Sequence, residues 1–338
     1  MDIGVAMPTH GLLKRDEENF FLQVIKPEDV RPIEFAQHAE RLDYHSVWFS
    51  DHVVMGRDLS MFYPAQQSGK KAYPQRPTMF DAAVVMGGLA AATTKIKFAP
   101  SVHIAPYRHP LASAQQFATI DYMSQGRLIM GVGIGWEEEE YRALDANFKH
   151  RGGVTEECIE IYKRAWTDDW IDFDGKHFQI HDVSMDPKPW QKPHPPIIYG
   201  ANTDVGARRA ARCCDGLYTV HLDPYPPVDI WASAKEAALK EGERLGRDMS
   251  DFWYGTFASA LICDADDPII QGDRRPTLTG TAEQILEDLQ AFADHGFEHI
   301  TCHFHVRSNT IDELFEITER FGEEVLPEAS KIKAASLV

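Results

Sequence analysis

The sequence has no hydrophobic run long enough to cross a lipid bilayer. Its longest nearly apolar stretch runs from Ala82 to Ala92, about half of what a membrane-spanning helix needs. The first residues, Met1 to Pro8, lack the basic segment and the long apolar core of a secretory signal peptide. We therefore expect a cytoplasmic protein that does not act in a membrane.

Positive charge is also scarce. The 338 residues include 34 lysines and arginines against 52 aspartates and glutamates, which gives a formal net charge of −18. A surface with this charge repels phosphate backbones and anionic lipids. Nucleic acids and membrane surfaces are therefore poor candidates as partners, and a small-molecule substrate is the better expectation.

Cysteine is sparse and poorly spaced for a structural role. Five cysteines are present, an odd number, and no two of them have the CxxC spacing of a zinc or redox motif. Cys213 and Cys214 are adjacent, which suits neither a disulfide nor a zinc site. We expect free thiols that act as small buried hydrophobic residues in a reducing compartment.

What the sequence does contain is a regular alternation of strand-like and helix-like segments. Short apolar runs predict eight strands, at residues 3–7, 46–49, 95–104, 127–132, 195–199, 216–220, 252–263 and 297–305. Helical patterns lie between them, at residues 30–42, 80–92, 110–123, from 137, 156–166, 204–213, 228–245, from 281 and 311–326. About eight βα units predict a parallel sheet that closes into a (β/α)8 TIM barrel, with an open doubly wound sheet as the alternative.

Two segments interrupt this alternation. Residues 168–189 are aromatic and polar, and their Asp174-Gly175 turn predicts an inserted β-hairpin. Residues 53–77 are expected to form a long loop after the second strand. This loop is either an apolar lid over a hydrophobic substrate or an ordinary solvated loop. No shift in composition marks a boundary, so we expect a single domain over residues 1–338.

Histidines occur where several predicted strands end. The active site of a barrel forms from the loops at these carboxyl ends, and imidazole is the usual proton-transfer group near neutral pH. Asp51, directly before His52, could orient that ring or accept hydrogen bonds from a cofactor. Any single histidine could equally be an ordinary loop residue. The histidines at strand ends are His10, His52, His103, His221, His303 and His305.

Two glycine-bearing turns also follow predicted strands. The segment 131–135 lacks the GxGxxG spacing of a dinucleotide loop, and the four glutamates after it would repel a pyrophosphate. We expect Gly133 and Gly135 instead to let the backbone approach a flat ring. The turn at 200–203 is the better phosphate site because it opens a helix, although a plain capped βα turn is the alternative.

Metal chemistry has less support. His303 and His305 fall on the same face of a strand and could form half of a metal site. No HExxH, CxxC or EF-hand pattern accompanies them. We therefore expect no metal.

Several short motifs occur in a fixed order along nearly the whole chain. They are Val47–His52, Pro100–Val102, Gly126–Gly133 with Trp136 and Glu140-Tyr141, His194–Ile197 before Gly200, Asp215-Gly216, and Thr279–Gln284. Together they resemble the bacterial luciferase-like family of flavin- or deazaflavin-dependent oxidoreductases. The resemblance implies a (β/α)8 barrel with a flat tricyclic cofactor across its carboxyl-terminal mouth.

The resemblance also implies roles for individual residues. Ser101-Val102 would form a non-proline cis peptide that bulges against the cofactor ring. Asp51 would contact the ring edge and His52 would face the substrate. Backbone amides of Gly200, Ala201 and Asn202 would hold the cofactor phosphate.

The sequence departs from the sugar- and alcohol-oxidising deazaflavin members at two positions. Those members have a tryptophan a few residues after the Asp-His pair, where this chain has residues 53–56, and a catalytic glutamate where this chain has Trp136. These departures argue against sugar-phosphate and secondary-alcohol substrates. Glu137, Glu139 and Glu140 are nearby, and the sequence does not say which of them faces inward.

We predict an oxidoreductase that uses coenzyme F420 for hydride transfer to or from a small, apolar organic substrate, with His52 as general acid/base. His10, His103 and His305 are reserve candidates for that role. The main alternative is an FMN-dependent two-component monooxygenase fed by a separate flavin reductase. A metal-dependent barrel hydrolase and a non-catalytic ligand-binding barrel are less favoured. The resemblance further implies a homodimer, with an F420 or flavin reductase as partner.

Overall fold

A computed structural model describes residues 1–9, 12–15, 20–23, 29–58, 78–221, 228–304 and 308–336. Its strands in chain order are β1 (Asp2–Ala6), β2 (Leu12–Arg15), β3 (Phe20–Gln23), β4 (Ser46–Phe49), β5 (Lys97–Pro100), β6 (His103–Ile104), β7 (Met130–Gly133), β8 (Ile171–Asp174), β9 (Gln179–Val183), β10 (Ile197–Gly200), β11 (Gly216–His221), β12 (Trp253–Ser259), β13 (Leu261–Ile262), β14 (Thr279–Gly280) and β15 (His299–His303).

The helices surround these strands. They are α1 (Pro32–Arg41), α2 (Ala82–Ala92), α3 (Pro110–Ser124), α4 (Glu138–Ala143), α5 (Arg151–Thr167), α6 (Asp204–Cys213), α7 (Val228–Leu245), α8 (Ala282–Asp294), α9 (Ile311–Glu324) and α10 (Leu326–Ala329). In the part of the chain that the structure describes, none of them is both long and apolar enough to cross a membrane.

The strands form a closed parallel barrel. Their order is β5-β4-β1-β15-β12-β11-β10-β7-β6, and β5 and β6 are two pieces of one predicted strand, interrupted at Ser101-Val102. Phe98 in β5 also bridges Leu128, and the Ile129 amide donates to the Phe98 carbonyl at 3.0 Å. The two ends of the sheet therefore meet, eight strands close the ring, and the predicted TIM barrel is confirmed.

Local sequence signals begin several helices as predicted. Pro110 occupies the first turn of α3, where its missing amide costs nothing. Thr281 and Gln284 form the predicted capping box of α8. Helix α5 differs, because it begins at Arg151, five residues before the prediction, and includes Gly152 and Gly153 in its first turn.

The secondary sheets are small. Strands β8 and β9 pair antiparallel, which confirms the predicted inserted hairpin. Strands β2 and β3 form a second antiparallel hairpin that the sequence did not predict. The predicted strand 252–263 divides at Ala260, because β13 leaves the barrel and pairs with β14. Of the predicted long loop, residues 59–77 lie outside the described residues.

Aromatic rings fill the barrel interior below the mouth. Trp48 stacks on Tyr218 with ring centroids 4.5 Å apart, and His299 packs against Trp48 at 5.1 Å. Burial, followed by the nearby charges of His45 and Lys97, lowers the pKa of His299 well below its usual value. This histidine is therefore a neutral residue of the barrel core.

Candidate active site

Two buried side chains meet at the carboxyl-terminal mouth of the barrel. His52 follows β4, and its Nδ1 lies 2.7 Å from Oε2 of Glu140 in α4. Both residues are buried, with His52 7% exposed and Glu140 fully covered. Of the three glutamates that the sequence left open, Glu140 is thus the partner of the predicted acid/base.

Glu140 accepts hydrogen bonds at both carboxylate oxygens. Its Oε1 receives the amides of Val53 and Val54 at 2.6 and 3.2 Å, and its Oε2 receives His52 and the hydroxyl of Tyr107 at 2.8 Å. A carboxylate has about four lone-pair sites, and four donors occupy them. Because a carboxylate oxygen only accepts, the proton in the His52–Glu140 hydrogen bond belongs to Nδ1, and Nε2 is the ring nitrogen that this bond does not use.

The Glu140 carboxylate affects the pKa of the neighbouring Tyr107 phenol. Burial, and then the negative charge of Glu140, raise the pKa of Tyr107 above its ordinary value. Tyr107 therefore remains a protonated donor to Glu140 across the physiological range. Sequence reasoning missed Tyr107 and did not select Glu140, although Glu137 and Glu140 are three positions apart and so share one face of a helical turn.

Glu137 and Glu139 bind the loop after His52. The amide of Gly56 donates to Oε1 of Glu137 at 2.8 Å, and the amide of Asp58 donates to Oε2 of Glu139 at 3.4 Å. Glu137 is buried, whereas Glu139 is partly exposed. The acidic run after β7 thus binds backbone amides of the loop that begins at Val53.

Asp51 belongs to a separate network. Both of its oxygens bind Arg108, each at 2.7 Å, and Oδ2 also accepts from Nδ1 of His103 and from the Ile104 amide, each at 3.1 Å. Burial alone would raise the pKa of Asp51, but the hydrogen bond and charge of His103 and then Arg108 outweigh it and hold the pKa well below its usual range. Asp51 does not orient His52.

Val102 stands at the mouth between two strand ends. The Ser101-Val102 peptide is cis, as the resemblance implied, and Val102 is half-buried. A Cβ at Gly133 would overlap Cγ2 of Val102, and one at Gly200 would lie 2.5 Å from Cγ1. Val102 therefore requires glycine at the ends of both strands. The side chain of Val102 itself leaves an apolar, partly exposed surface, which fits a flat ring.

Gly135 needs glycine for a different reason. Its φ is +65°, and a Cβ there would lie 2.8 Å from Cγ2 of Ile104 and 3.1 Å from the Tyr107 hydroxyl. The residue turns the chain from β7 toward α4 and brings Tyr141 against Tyr107, with ring centroids 4.8 Å apart. Gly135 thus shapes the wall behind the His52–Glu140 pair.

One of the three amides in the predicted phosphate turn has a partner inside the protein. The Ala201 amide donates to the Tyr218 carbonyl at 2.9 Å, because pairing with β11 continues one residue past the predicted strand end. The Asn202 side chain binds both backbone groups of Val220, at 2.6 and 2.8 Å. Thr203 caps α6 by accepting from the Gly206 amide. The first amides of a helix have no intrahelical partner. In this chain those amides belong to the first turn of α6, which comes directly after the predicted residues.

The other histidines divide into three groups. His103 is buried, and its Nε2 lies 3.3 Å from the hydroxyl of Tyr162, so both ring nitrogens have partners inside the protein. His303 is buried and packs on Phe257 with ring centroids 5.1 Å apart. His10, His305 and the side chain of His221 lie outside the described residues.

One cluster among the described residues has the donor types of a metal site. Single ligand atoms of His52, Glu137 and Glu140 all lie within 4.8 Å of one another, and all three residues are buried. The four donors on Glu140 occupy the lone pairs that a cation would need. The geometry therefore favours a proton-handling pair over a metal centre.

An aromatic ring also approaches His52. The Trp136 and His52 rings meet edge to face with centroids 5.8 Å apart. The sequence lacks a tryptophan shortly after His52 and has no glutamate at position 136. The fold nevertheless brings a tryptophan and a glutamate to His52, with Trp136 from the loop after β7 and Glu140 from α4.

A family model for luciferase-like monooxygenases matches residues 1–271. The chain belongs to this family. It is 26% identical over 340 residues to an F420-dependent glucose-6-phosphate dehydrogenase of Amycolatopsis mediterranei, an alignment that covers 89% of this chain and 94% of that protein. It is 32% identical over 142 residues to an FMNH2-dependent dimethylsulfone monooxygenase of Pseudomonas putida, covering 41% and 39% respectively.

Other luciferase-like comparisons agree on the fold. The oxygenating constituent of 3,6-diketocamphane monooxygenase of Pseudomonas putida, solved with FMN, superposes with a TM-score of 0.72 at 16% identity, covering 97% of this chain and 98% of that one. The chain spans just under two thirds (66%) of an uncharacterised Mycobacterium tuberculosis protein, to which it is 30% identical over 192 residues. Both F420- and FMN-dependent enzymes are therefore among the proteins this luciferase-like chain resembles.

Proposed function

We propose that this luciferase-like protein is an F420-dependent oxidoreductase that moves a hydride to or from a small, apolar organic substrate. The buried His52–Glu140 pair is the observation that carries the proposal. It lies at the same end of the barrel as Val102, because β4 and β5 are neighbouring parallel strands. The F420 branch is favoured over FMN because the alignment with the F420-dependent relative covers 89% of the chain, against 41% for the FMNH2-dependent one.

His52 moves the proton in this proposal. Glu140 holds the Nδ1 proton, so Nε2 takes a proton from a substrate hydroxyl during oxidation and returns it during reduction. Trp136 packs edge to face against the imidazole. When bound, the deazaflavin supplies the site that accepts or donates the hydride.

The predicted cofactor-binding residues have different parts in this proposal. Val102 and Ser101 face the ring, and Gly133 and Gly200 give Val102 its position. Asp51 fixes Arg108 and His103 at the edge of the mouth. It therefore affects cofactor binding through these two side chains. Gly135, Ala201 and Asn202 shape the mouth, and amides of the α6 first turn take the phosphate.

The alternative is an FMN-dependent two-component monooxygenase supplied by a separate flavin reductase. The specific observation in its favour is the stretch of 142 residues that is 32% identical to the FMNH2-dependent enzyme. In that case the His52–Glu140 pair would serve proton transfer during oxygenation. A metal-dependent hydrolase has no comparable support, since Glu140 is saturated with donors.

A titration of the purified apo-protein tests the cofactor. Binding of F420 and of FMN is followed by the change in fluorescence of each. Tight F420 binding with weak FMN binding is the expected result, and the reverse would replace the proposal with the monooxygenase. If neither binds, the proposal fails.

Substitution of His52 tests the proton transfer. His52→Ala is expected to bind F420 as the wild type does and to lose about 10²–10⁴-fold in turnover. Normal turnover of the natural substrate by this variant would exclude His52 as the acid/base. His109→Ala is the matched control, because His109 is an exposed histidine that caps α3.

A further inference from the structure

Four polar side chains form a connected column through the apolar interior of the barrel. The hydroxyl of Tyr218 donates to Oγ1 of Thr301 at 2.6 Å, and Nε2 of His299 lies 3.0 Å from the same oxygen. The side chain of Ser101 forms a further hydrogen bond with the Tyr218 phenol. Tyr218, Thr301 and His299 are fully buried, whereas Ser101 is partly exposed. We call these four residues the polar column.

The strand register explains how the polar column crosses the barrel. His299 and Thr301 are two residues apart on β15, so their side chains lie on the same face of the sheet. Strand β12 lies between β11 and β15, and Gly255 is opposite both Tyr218 and His299. The phenol of Tyr218 thus reaches Thr301 across β12, past a residue without a side chain. Ser101 directly follows β5, so the polar column ends at the mouth.

Two indole rings hold the Tyr218 phenol in place. Trp48 stacks on it with 11° between the ring planes, and Trp253 lies on it with centroids 6.2 Å apart. Burial raises the pKa of Tyr218 above its ordinary value, so the hydroxyl keeps its proton at physiological pH. A fixed, protonated phenol has one proton to donate, and the direction of that donation decides what Ser101 offers to the mouth.

The tautomer of His299 bears on that direction. Its Nδ1 is buried and has no hydrogen-bond partner among the residues that the structure describes. A buried acceptor without a partner is tolerated better than a buried N–H without one, so the ring proton belongs on Nε2. Oγ1 of Thr301 then accepts from His299 with one lone pair and from Tyr218 with the other. The phenol proton is therefore committed to Thr301.

The Ser101 hydroxyl is consequently the donor in its hydrogen bond with Tyr218. A serine hydroxyl has one proton and two lone pairs. Because its proton points into the barrel core, the lone pairs of Oγ are left for a donor at the mouth. Ser101 thus presents an acceptor beside Val102, the residue proposed to face the cofactor ring.

We propose that Tyr218 is a positioning residue for the cofactor, whose phenol holds the Ser101 hydroxyl so that Oγ accepts a hydrogen bond from an N–H group of the bound ring. The inference rests on the proposed function, because it needs a ring at the mouth. It does not depend on the choice of cofactor, since deazaflavin and flavin rings both carry an N–H group. Tyr218 is fully buried and acts only through Ser101.

Removal of the phenol hydroxyl tests the inference. Tyr218→Phe and the wild type are titrated as apo-proteins with F420 and with FMN, and binding is followed by fluorescence. One hydrogen bond corresponds to about 3- to 10-fold in a dissociation constant, so we expect Tyr218→Phe to bind the wild-type cofactor that much more weakly. Ser101→Ala should cause the same loss, and adding Tyr218→Phe to it should cause no further loss. A purely structural role of Tyr218 would give additive losses instead.

Thr301 provides a second test, which keeps the phenol in place. Thr301→Val removes the acceptor of the Tyr218 proton, so the phenol donates to Ser101 and the Ser101 proton turns toward the mouth. We expect the same 3- to 10-fold weaker binding. Thr301→Ser keeps the acceptor and should bind the cofactor as the wild type does.

Thr219→Val is the matched control. Thr219 is the next residue on β11, is fully buried, and its Oγ1 lies 3.0 Å from that of Thr256. Successive side chains of a strand point to opposite faces, so this hydroxyl pair lies outside the polar column. The variant should lower the temperature of thermal unfolding and leave the affinity for the cofactor unchanged.

The outcomes separate this inference from the proposed function. A wild-type protein that binds neither cofactor would overturn the proposed function and the inference together. Normal wild-type binding with an unchanged affinity in Tyr218→Phe would overturn the inference alone. Additive losses in the double variant, or equal losses in Thr301→Ser and Thr301→Val, would also reject Tyr218 as a positioning residue and leave the cofactor assignment in place.

Discussion

Nδ1 of His52 lies 2.7 Å from Oε2 of Glu140, although 88 residues separate the two in the chain. The side chains are 5% and 0% exposed, so water does not compete for this hydrogen bond. A buried carboxylate that already accepts three other donors is a rigid support for an imidazole. The pair therefore combines a fixed ring orientation with a defined tautomer.

Glu140→Gln should impair the proton transfer without removing the cofactor. The amide presents donors to Tyr107 or His52 where the carboxylate accepted from both, so the imidazole loses its fixed orientation. We expect turnover to fall about 10- to 100-fold, less than for His52→Ala, with an unchanged dissociation constant for F420. Glu139→Gln, a change at a partly exposed neighbour, is the control in the same steady-state assay. A wild-type rate for Glu140→Gln would contradict this role.

Asp51→Asn should destabilise the fold in a pH-dependent manner. The pKa of Asp51 is depressed in the folded state, so its stabilising effect is present above its unfolded value, about 3.9, and is lost as the pH falls toward the folded value. At pH 7 the variant leaves Arg108 without its buried partner, and we expect a loss of about 3–5 kcal/mol. Urea unfolding at several pH values measures it, and the gap from wild type should narrow below pH 4. A gap independent of pH would refute the assignment.

Gly133→Ala should be destabilising because its Cβ would overlap Val102. Overpacking of this kind costs about 1–3 kcal/mol. The double variant with Val102→Ala should recover much of that cost, because the smaller side chain makes room. Thermal unfolding of the two single variants and the double variant measures the coupling. Gly272→Ala, at a position where a Cβ meets nothing within 4 Å, controls for the general effect of replacing glycine.

Cys213 should be the most reactive thiol of the native protein among the described cysteines. Its Sγ lies 3.8 Å from that of Cys214, and a hydrogen bond from that thiol lowers the pKa of Cys213. By contrast, burial raises the pKa of Cys158 to about 12 and also raises that of Cys302. Maleimide labelling followed by peptide mass spectrometry should find Cys213 modified first. Cys302→Ser should leave the fast phase intact, and Cys213→Ser should abolish it.

The homodimer remains a prediction, and helix α2 offers a way to test it. Its eleven residues include no charged side chain, and Val84 is 74% exposed. Apolar helix faces of this kind are typical of interfaces. Val84→Lys should lower the mass measured by light scattering from a dimer toward a monomer. Leu245→Lys, at an exposed apolar position on α7, should not, and a monomeric wild type would disprove the dimer.

Local patterns predicted the barrel well because its elements are continuous in sequence. The predicted bounds of β4, α6 and α7 match the structure residue by residue. The interruption of the third strand at Ser101-Val102 was implied by the family resemblance and not by hydrophobic pattern. The β2–β3 hairpin was missed because its strands, LLKR and FFLQ, do not alternate apolar and polar residues and flank the charged residues 16–18.

The candidate site was predicted less completely because its contacts join distant parts of the chain. The sequence identified His52 and Asp51 as neighbours, yet the fold sends them into different networks. Asp51 meets Arg108, 57 residues away, and His52 meets Glu140. Helical spacing indicates which face a glutamate occupies, but only the packing of α4 against the end of β4 selects its partner.

The glutamates after β7 also affect which substitutions the loop after His52 can accept. They hold the segment after His52 by its main-chain amides at positions 53, 54, 56 and 58, and amides are common to every residue except proline. Side chains there are consequently free to change without altering the path of the chain. Gly56 is the exception, since a Cβ would collide with Glu139. Under the proposed function, point mutations on this short stretch would change the surface after His52 and leave the His52–Glu140 pair in place.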